Sequence, residues 1–97
     1  MEVTLEFCGG AETAHNRGEK FLTFKSENKE PKVSDIFAQV RRKKLIDDID
    51  ALIESDKDVK PGVLVLINDA DWELFNEAEY QVCKNDRITF VSTLHGG

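Results

Sequence analysis

Met1-Glu2-Val3-Thr4-Leu5-Glu6-Phe7 opens the chain, with Val3, Leu5 and Phe7 alternating with Glu2, Thr4 and Glu6. A period of two sends alternate side chains to opposite faces, so the segment predicts a strand with one buried face. A second alternating segment lies at the far end, from Arg87 to Thr93, where Ile88 and Phe90 face one way and Thr89 and Val91 the other. What lies between these strands decides how they are brought together.

After the first strand, Cys8-Gly9-Gly10 supplies turn chemistry, since glycine reaches positive φ without a Cβ clash. Ala11 to Glu19 reads as a polar connection to a short strand at Lys20 to Lys25, whose apolar content is Phe21, Leu22 and Phe24. Ser34 is placed to cap a helix carrying Val33, Ile36, Phe37 and Val40 at helical spacing. That stripe loses phase at Arg41 to Lys44, and Leu45, Ile46, Ile49, Leu52 and Ile53 resume on another face, so a bend or second helical piece is expected. Lys60-Pro61-Gly62 punctuates the chain before Val63-Leu64-Val65-Leu66-Ile67, a continuous apolar run suited to an interior strand. Asn68 to Asp71 is turn-forming, Trp72 to Phe75 suits a short return strand, and Lys84-Asn85-Asp86 marks the turn into the last strand.

The order strand, strand, helix, strand, strand, strand predicts an α+β roll of the β-grasp (ubiquitin-like) kind, a mixed sheet with a helix packed on one face. In that arrangement the first and last strands pair in parallel at the sheet centre. Residues 1–93 then form the β-grasp domain, and residues 94–97 a flexible C-terminal tail ending in Gly-Gly.

With 97 residues and 40% apolar types, one core is expected, and a deep catalytic cavity would remove volume so short a chain can hardly spare. Thirteen basic against nineteen acidic side chains leave a formal charge of -6, which disfavours direct nucleic-acid binding. Cys8 and Cys83 lack CxxC spacing and the density of a disulfide scaffold, so a reducing compartment is expected. The chain shows neither a leader pattern nor an apolar run of spanning length. The expectation is a soluble cytoplasmic monomer that binds no membrane, metal or cofactor.

Three blocks resemble the eukaryotic ubiquitin-related modifier family that also serves as a sulfur carrier for tRNA thiolation. They are Gly9-Gly10-Ala11-Glu12, the long block from Pro61 through Val63-Leu64-Val65-Leu66-Ile67-Asn68-Asp69-Ala70-Asp71-Trp72-Glu73 to Leu74, and Thr93-Leu94-His95-Gly96-Gly97. The resemblance implies a carrier and modifier that catalyses nothing itself and is the substrate of an activating enzyme. That enzyme, with adenylating and rhodanese-like domains, would use ATP to adenylate the Gly97 carboxylate and convert it to a thiocarboxylate. A tRNA-thiolating enzyme complex would take the sulfur for the wobble uridine of certain tRNAs. Target proteins would be joined to Gly97 through their lysines.

Two terminal glycines suit that role physically, because a carboxylate entering a narrow channel is obstructed by neighbouring side chains. From Leu94 the extended tail spans roughly 13 Å at about 3.3 Å per residue. Holding each residue costs about 1 to 2 kcal/mol, so the partner must also dock elsewhere on the domain. Leu94, His95 and Gly96 are accordingly the expected recognition tail, with His95 a recognition residue rather than a base. Because a single helix covers one sheet face, either Leu64 and Leu66 or the alternate set should join Val91 in an exposed docking patch.

Other features read as structural. Asn68, Asp69 and Asp71 lack the central Gly and late Glu of a calcium loop and fit a hairpin turn. Asp47, Asp48 and Asp50 fit a solvated acidic face, Arg41-Arg42-Lys43-Lys44 a solvated helix end, His15 a solvated loop residue, and Trp72 a packing anchor. Cys8 and Cys83 have no sequence neighbour that clearly activates a thiol. Two other readings compete: a small sulfur-donating subunit of a molybdopterin-type synthase, and a ubiquitin-like binding module whose tail never reacts.

Overall fold

The computed structural model describes residues 1–92, and the tail expected at residues 94–97 lies outside them. Seven strands are present among the described residues: β1 (Glu2–Cys8), β2 (Phe21–Lys25), β3 (Ile53–Ser55), β4 (Asp58–Val59), β5 (Val63–Ile67), β6 (Ala70–Asp71) and β7 (Arg87–Ser92). Two helices accompany them, α1 (Ala11–His15) and α2 (Val33–Lys43). The main sheet runs β2-β1-β7-β5-β6, and β3 and β4 form a separate hairpin. β1 and β7 pair in parallel at the centre, with Leu5 opposite Ile88 and Phe7 opposite Phe90. The other neighbouring pairs are antiparallel, so the sheet is mixed and the β-grasp expectation holds.

Alternation places Val3, Leu5, Phe7, Val63, Val65, Ile67, Ile88 and Phe90 in the core, where Val33, Ile36, Phe37 and Val40 of α2 meet them. Phe90 is the hinge of this packing, with its ring 5.7 Å from both Phe7 and Phe37. Gln39, also buried, ties α2 to the end of β2 by donating to the Lys25 carbonyl at 2.9 Å and accepting from Glu27 N at 2.9 Å.

Three local expectations are corrected and one is met. Ala11 to Glu19 is not merely a polar link: it contains α1, because Ala11 and His15 sit one turn apart and both are buried. α2 begins at Val33 rather than being capped by Ser34, since Asp35 reaches back to accept from Lys32 N at 2.9 Å. The bend expected after α2 is present: at Lys44 the backbone turns left-handed (φ 52°), a short 3-10 helix follows at Ile49–Ala51, and Ile53 then starts the β3–β4 hairpin. Trp72 to Phe75 is a 3-10 turn rather than a strand; the return strand is only Ala70–Asp71, and Asp71 Oδ1 accepts from Glu73 N at 2.9 Å to turn the chain inward. Trp72 is thereby buried with its ring 5.9 Å from that of Phe37, the packing anchor expected.

Candidate docking face

The sheet face opposite α2 is the one that β7 presents as it leads toward the last five residues. On it, Leu64 of β5 lies opposite Val91 of β7, and Val91 lies opposite Cys8 of β1. The inward set of β5 is Val63, Val65 and Ile67, so Leu64 and Leu66 are the outward pair, Leu64 at 51% exposure and Leu66 half-buried. Leu64, Leu66 and Val91, the candidate patch residues, therefore share one face. Phe21, opposite Glu6 on the β1–β2 ladder and 51% exposed, adds an aromatic ring to this face that is not among the candidate patch residues. The signal for it is its place two positions before Thr23, on the polar side of a short alternating strand.

Polar groups occupy the middle of this face. Glu6 Oε1 accepts from Thr89 Oγ1 at 2.8 Å and lies 3.0 Å from Arg87 Nε, while its Oε2 lies 3.4 Å from Lys20 Nζ. Burial pushes the Glu6 carboxyl up, but the Thr89 and Lys20 hydrogen bonds and the charges of Arg87 and Lys20 outweigh it, and the net shift is downward. Glu6 is thus an ionised tie between β1 and β7, and its neighbour Cys8 feels it: burial first, then the Glu6 charge, raise the thiol pKa. A raised thiol is a poor nucleophile at neutral pH.

Gly9 fixes where the end of β7 lies. With φ +67°, its backbone passes so close that an added Cβ would fall 2.8 Å from the Ser92 carbonyl oxygen and 3.3 Å from Val91 Cγ1. The glycine permits both the left-handed turn and the close approach to the end of β7.

His15 is corrected from solvated to buried. At 2% exposure, its Nδ1 donates to the Asp47 carbonyl at 2.9 Å, and Asp47 N returns a bond to the His15 carbonyl at 2.9 Å. The pair fastens α1 to the loop after α2, an arrangement no local signal around His15 announces.

The basic run is an exposed helix end in which three of the four cations are engaged within the molecule: Arg41 with Asp56 at 2.6 Å, Arg42 and Lys43 both with Glu27. Asp47, Asp48 and Asp50 are exposed, and Asn68 and Asp69 take the positive φ values of a two-residue hairpin turn. Cys8 and Cys83 are free thiols. Among the described residues no cluster of His, Cys, Asp or Glu suits a metal, and no helix is long and apolar enough to cross a membrane. Leu94, His95, Gly96 and Gly97, the expected recognition tail and attachment point, lie outside the described residues.

Comparison with known proteins bears on this geometry. The family model described as Urm1 (Ubiquitin related modifier) matches residues 2–97. Ubiquitin-related modifier 1 of Pyrenophora tritici-repentis is 43% identical over 101 residues, spanning 100% of this chain and 94% of that protein. Its counterpart in Homo sapiens is 39% identical over 98 residues, spanning 100% and 96%. The solution structure of Urm1 from Trypanosoma brucei superposes with a TM-score of 0.74 at 27% identity, covering 99% of this chain and 95% of that one. With its β-grasp sheet, parallel central pair and full-length match in hand, the chain belongs to the Urm1 family of ubiquitin-related modifiers.

Proposed function

We propose that this protein is a sulfur carrier and a protein modifier, and that both activities reside in the carboxylate of Gly97. The observation that carries the reading is the family match, which spans residues 2–97 and so extends to the Gly96-Gly97 end of the chain. The geometry supports it: the described residues end on the central strand β7, whose outward Val91 lies between Leu64 and Cys8. An activating enzyme can grip that row while the glycines enter its channel.

In the proposed cycle a Gly97 carboxylate oxygen attacks the α-phosphate of ATP, expelling pyrophosphate. A persulfide sulfur on the rhodanese-like domain of the activating enzyme then attacks the acyl adenylate and releases AMP, and cleavage of the sulfur–sulfur bond by a thiol leaves a thiocarboxylate. The tRNA-thiolating complex takes this sulfur for wobble uridine. Attack by a target lysine on the activated carbonyl gives an isopeptide bond instead. This chain contributes the carboxylate, its glycine access and the docking face; ATP belongs to the activating enzyme, and the working compartment is the cytoplasm.

The test is ATP-pyrophosphate exchange with the activating enzyme. The full chain should support it, and a chain lacking Gly96-Gly97 should not. Exchange that persists in the truncated, folded protein rejects the proposal, and failure of the full chain to support exchange favours an unreactive binding module. Co-purification with a large molybdopterin-type synthase subunit would favour the synthase reading.

A further inference from the structure

A second surface lies around the corner from the sheet face, where the β3–β4 hairpin and the Trp72 turn flank the free end of β5. They enclose a groove of about 310 Å³. Val63, Val65 and Trp72, all buried, and the half-buried Val59 give it an apolar lining. Asp58, Asp71, Glu73 and Glu77 reach it as exposed acids, and among the described residues Lys60 is its single cation. Lys60 is already engaged by Glu54 at 2.6 Å, so it does not neutralise the rim.

The acids are not explained by internal pairing. Asp71 and Asp58 each cap a backbone N–H, at 2.9 and 2.8 Å. Among the described residues Glu73 and Glu77 have no cation within ion-pair distance, unlike Glu79, which pairs with Lys32 at 3.2 Å. From Asp69 to Glu79 the sequence carries Asp69, Asp71, Glu73, Glu77 and Glu79 and no Lys or Arg, in a chain whose total formal charge is -6. Beside the groove, Leu74 stands 76% exposed and Phe75 is exposed against the Tyr80 ring at 5.5 Å. Large apolar groups held out in water next to unpaired acids conflict with the usual surface pattern unless something covers them.

We infer that this groove docks a basic peptide segment of a partner protein, with an apolar side chain over Trp72 and lysine or arginine side chains against Glu73, Glu77, Asp71 and Asp58. Charge complementarity selects that occupant over an acidic or purely apolar one, because the low-dielectric floor strengthens attraction to cations and penalises a second set of carboxylates. The surface is distinct from the Leu64–Val91 row, though Leu64 borders both. It does not depend on chemistry at Gly97.

The test is a two-dimensional ¹H–¹⁵N titration of the full chain with a synthetic peptide of alternating leucine and lysine, beside a peptide in which glutamate replaces lysine. The basic peptide should perturb the Trp72 indole, Glu73, Leu74 and Glu77, weaken as salt rises, and bind at least about tenfold less tightly to the Glu73→Lys, Glu77→Lys variant. Both positions are exposed, so that variant should keep the wild-type amide dispersion elsewhere. Absence of binding overturns the inference. So does equal binding of the acidic peptide, perturbation centred on Phe21 and Val91, or an affinity unmoved by charge reversal.

Discussion

Leu64 and Val91 face each other across the antiparallel β5–β7 ladder, on the side of the sheet that α2 leaves open. Their neighbours one residue along, Val65 and Phe90, also pair, but in the core. One step in register therefore separates a proposed docking residue from a folding residue, and substitution distinguishes them. Leu64→Asp should leave the circular dichroism spectrum unchanged and lower the efficiency of activation by about tenfold or more, as loss of a central interface anchor does. Val65→Asp should unfold the domain, because an unpaired carboxylate would be buried. Wild-type activation kinetics in folded Leu64→Asp would remove this row from the docking surface.

Neither cysteine is needed if sulfur rides on the terminus. Cys8→Ala with Cys83→Ser should support tRNA thiolation at close to the wild-type rate, consistent with burial and Glu6 holding the Cys8 thiol pKa up. Measuring thiolated wobble uridine after reconstitution checks this. A folded double variant that restores none would place the mobile sulfur on a side chain.

Gly9→Ala tests the anchoring of the strand that carries the tail. The substitution combines a left-handed φ with a Cβ 2.8 Å from a backbone oxygen, so it should cost about 1 to 2 kcal/mol from conformation alone and lower Tm by several degrees. A thermal scan equal to wild type would show that the turn does not take this course.

Glu6 and Asp86 make stability depend on acid. For Asp86, burial raises the pKa, but bonds from Tyr80 Oη at 2.7 Å, Asn68 Nδ2 at 2.8 Å and Cys83 N at 2.7 Å win, and the shift is downward, as for Glu6. A carboxylate depressed in the folded state stabilises above its ordinary pKa, 4.5 for Glu6 and 3.8 for Asp86, and loses that contribution as pH falls through the depressed folded value. Asp86→Asn should therefore lower stability at neutral pH by about 1 kcal/mol, discounted for partial exposure, with the difference from wild type shrinking below about pH 4. Urea midpoints across that range check it; a difference independent of pH would mean that Asp86 acts through shape rather than charge.

The sheet was legible because strands with one buried face write their period into the chain: Val3, Leu5 and Phe7, and Ile88 and Phe90, each announced the face they occupy. The run Val63 to Ile67 announced a strand but not its orientation, since both of its faces are apolar; only the register with β7 shows that Leu64 and Leu66 point outward. Burial of His15 depends on a loop 32 residues away, and the early end of β6 depends on Trp72 being drawn to Phe37. Those are tertiary contacts, to which local periodicity is blind. The Glu6–Thr89 bond spans 83 residues and was likewise invisible until the parallel pairing set the two side by side.

Intact mass of the full chain after incubation with the activating enzyme, ATP and a sulfur donor tests the central claim most directly. The account predicts a gain equal to the replacement of one oxygen by sulfur, mapped by fragmentation to Gly97 and absent from a folded chain lacking Gly96-Gly97. A gain that maps to Cys8 or Cys83, or that survives removal of both glycines, would contradict it.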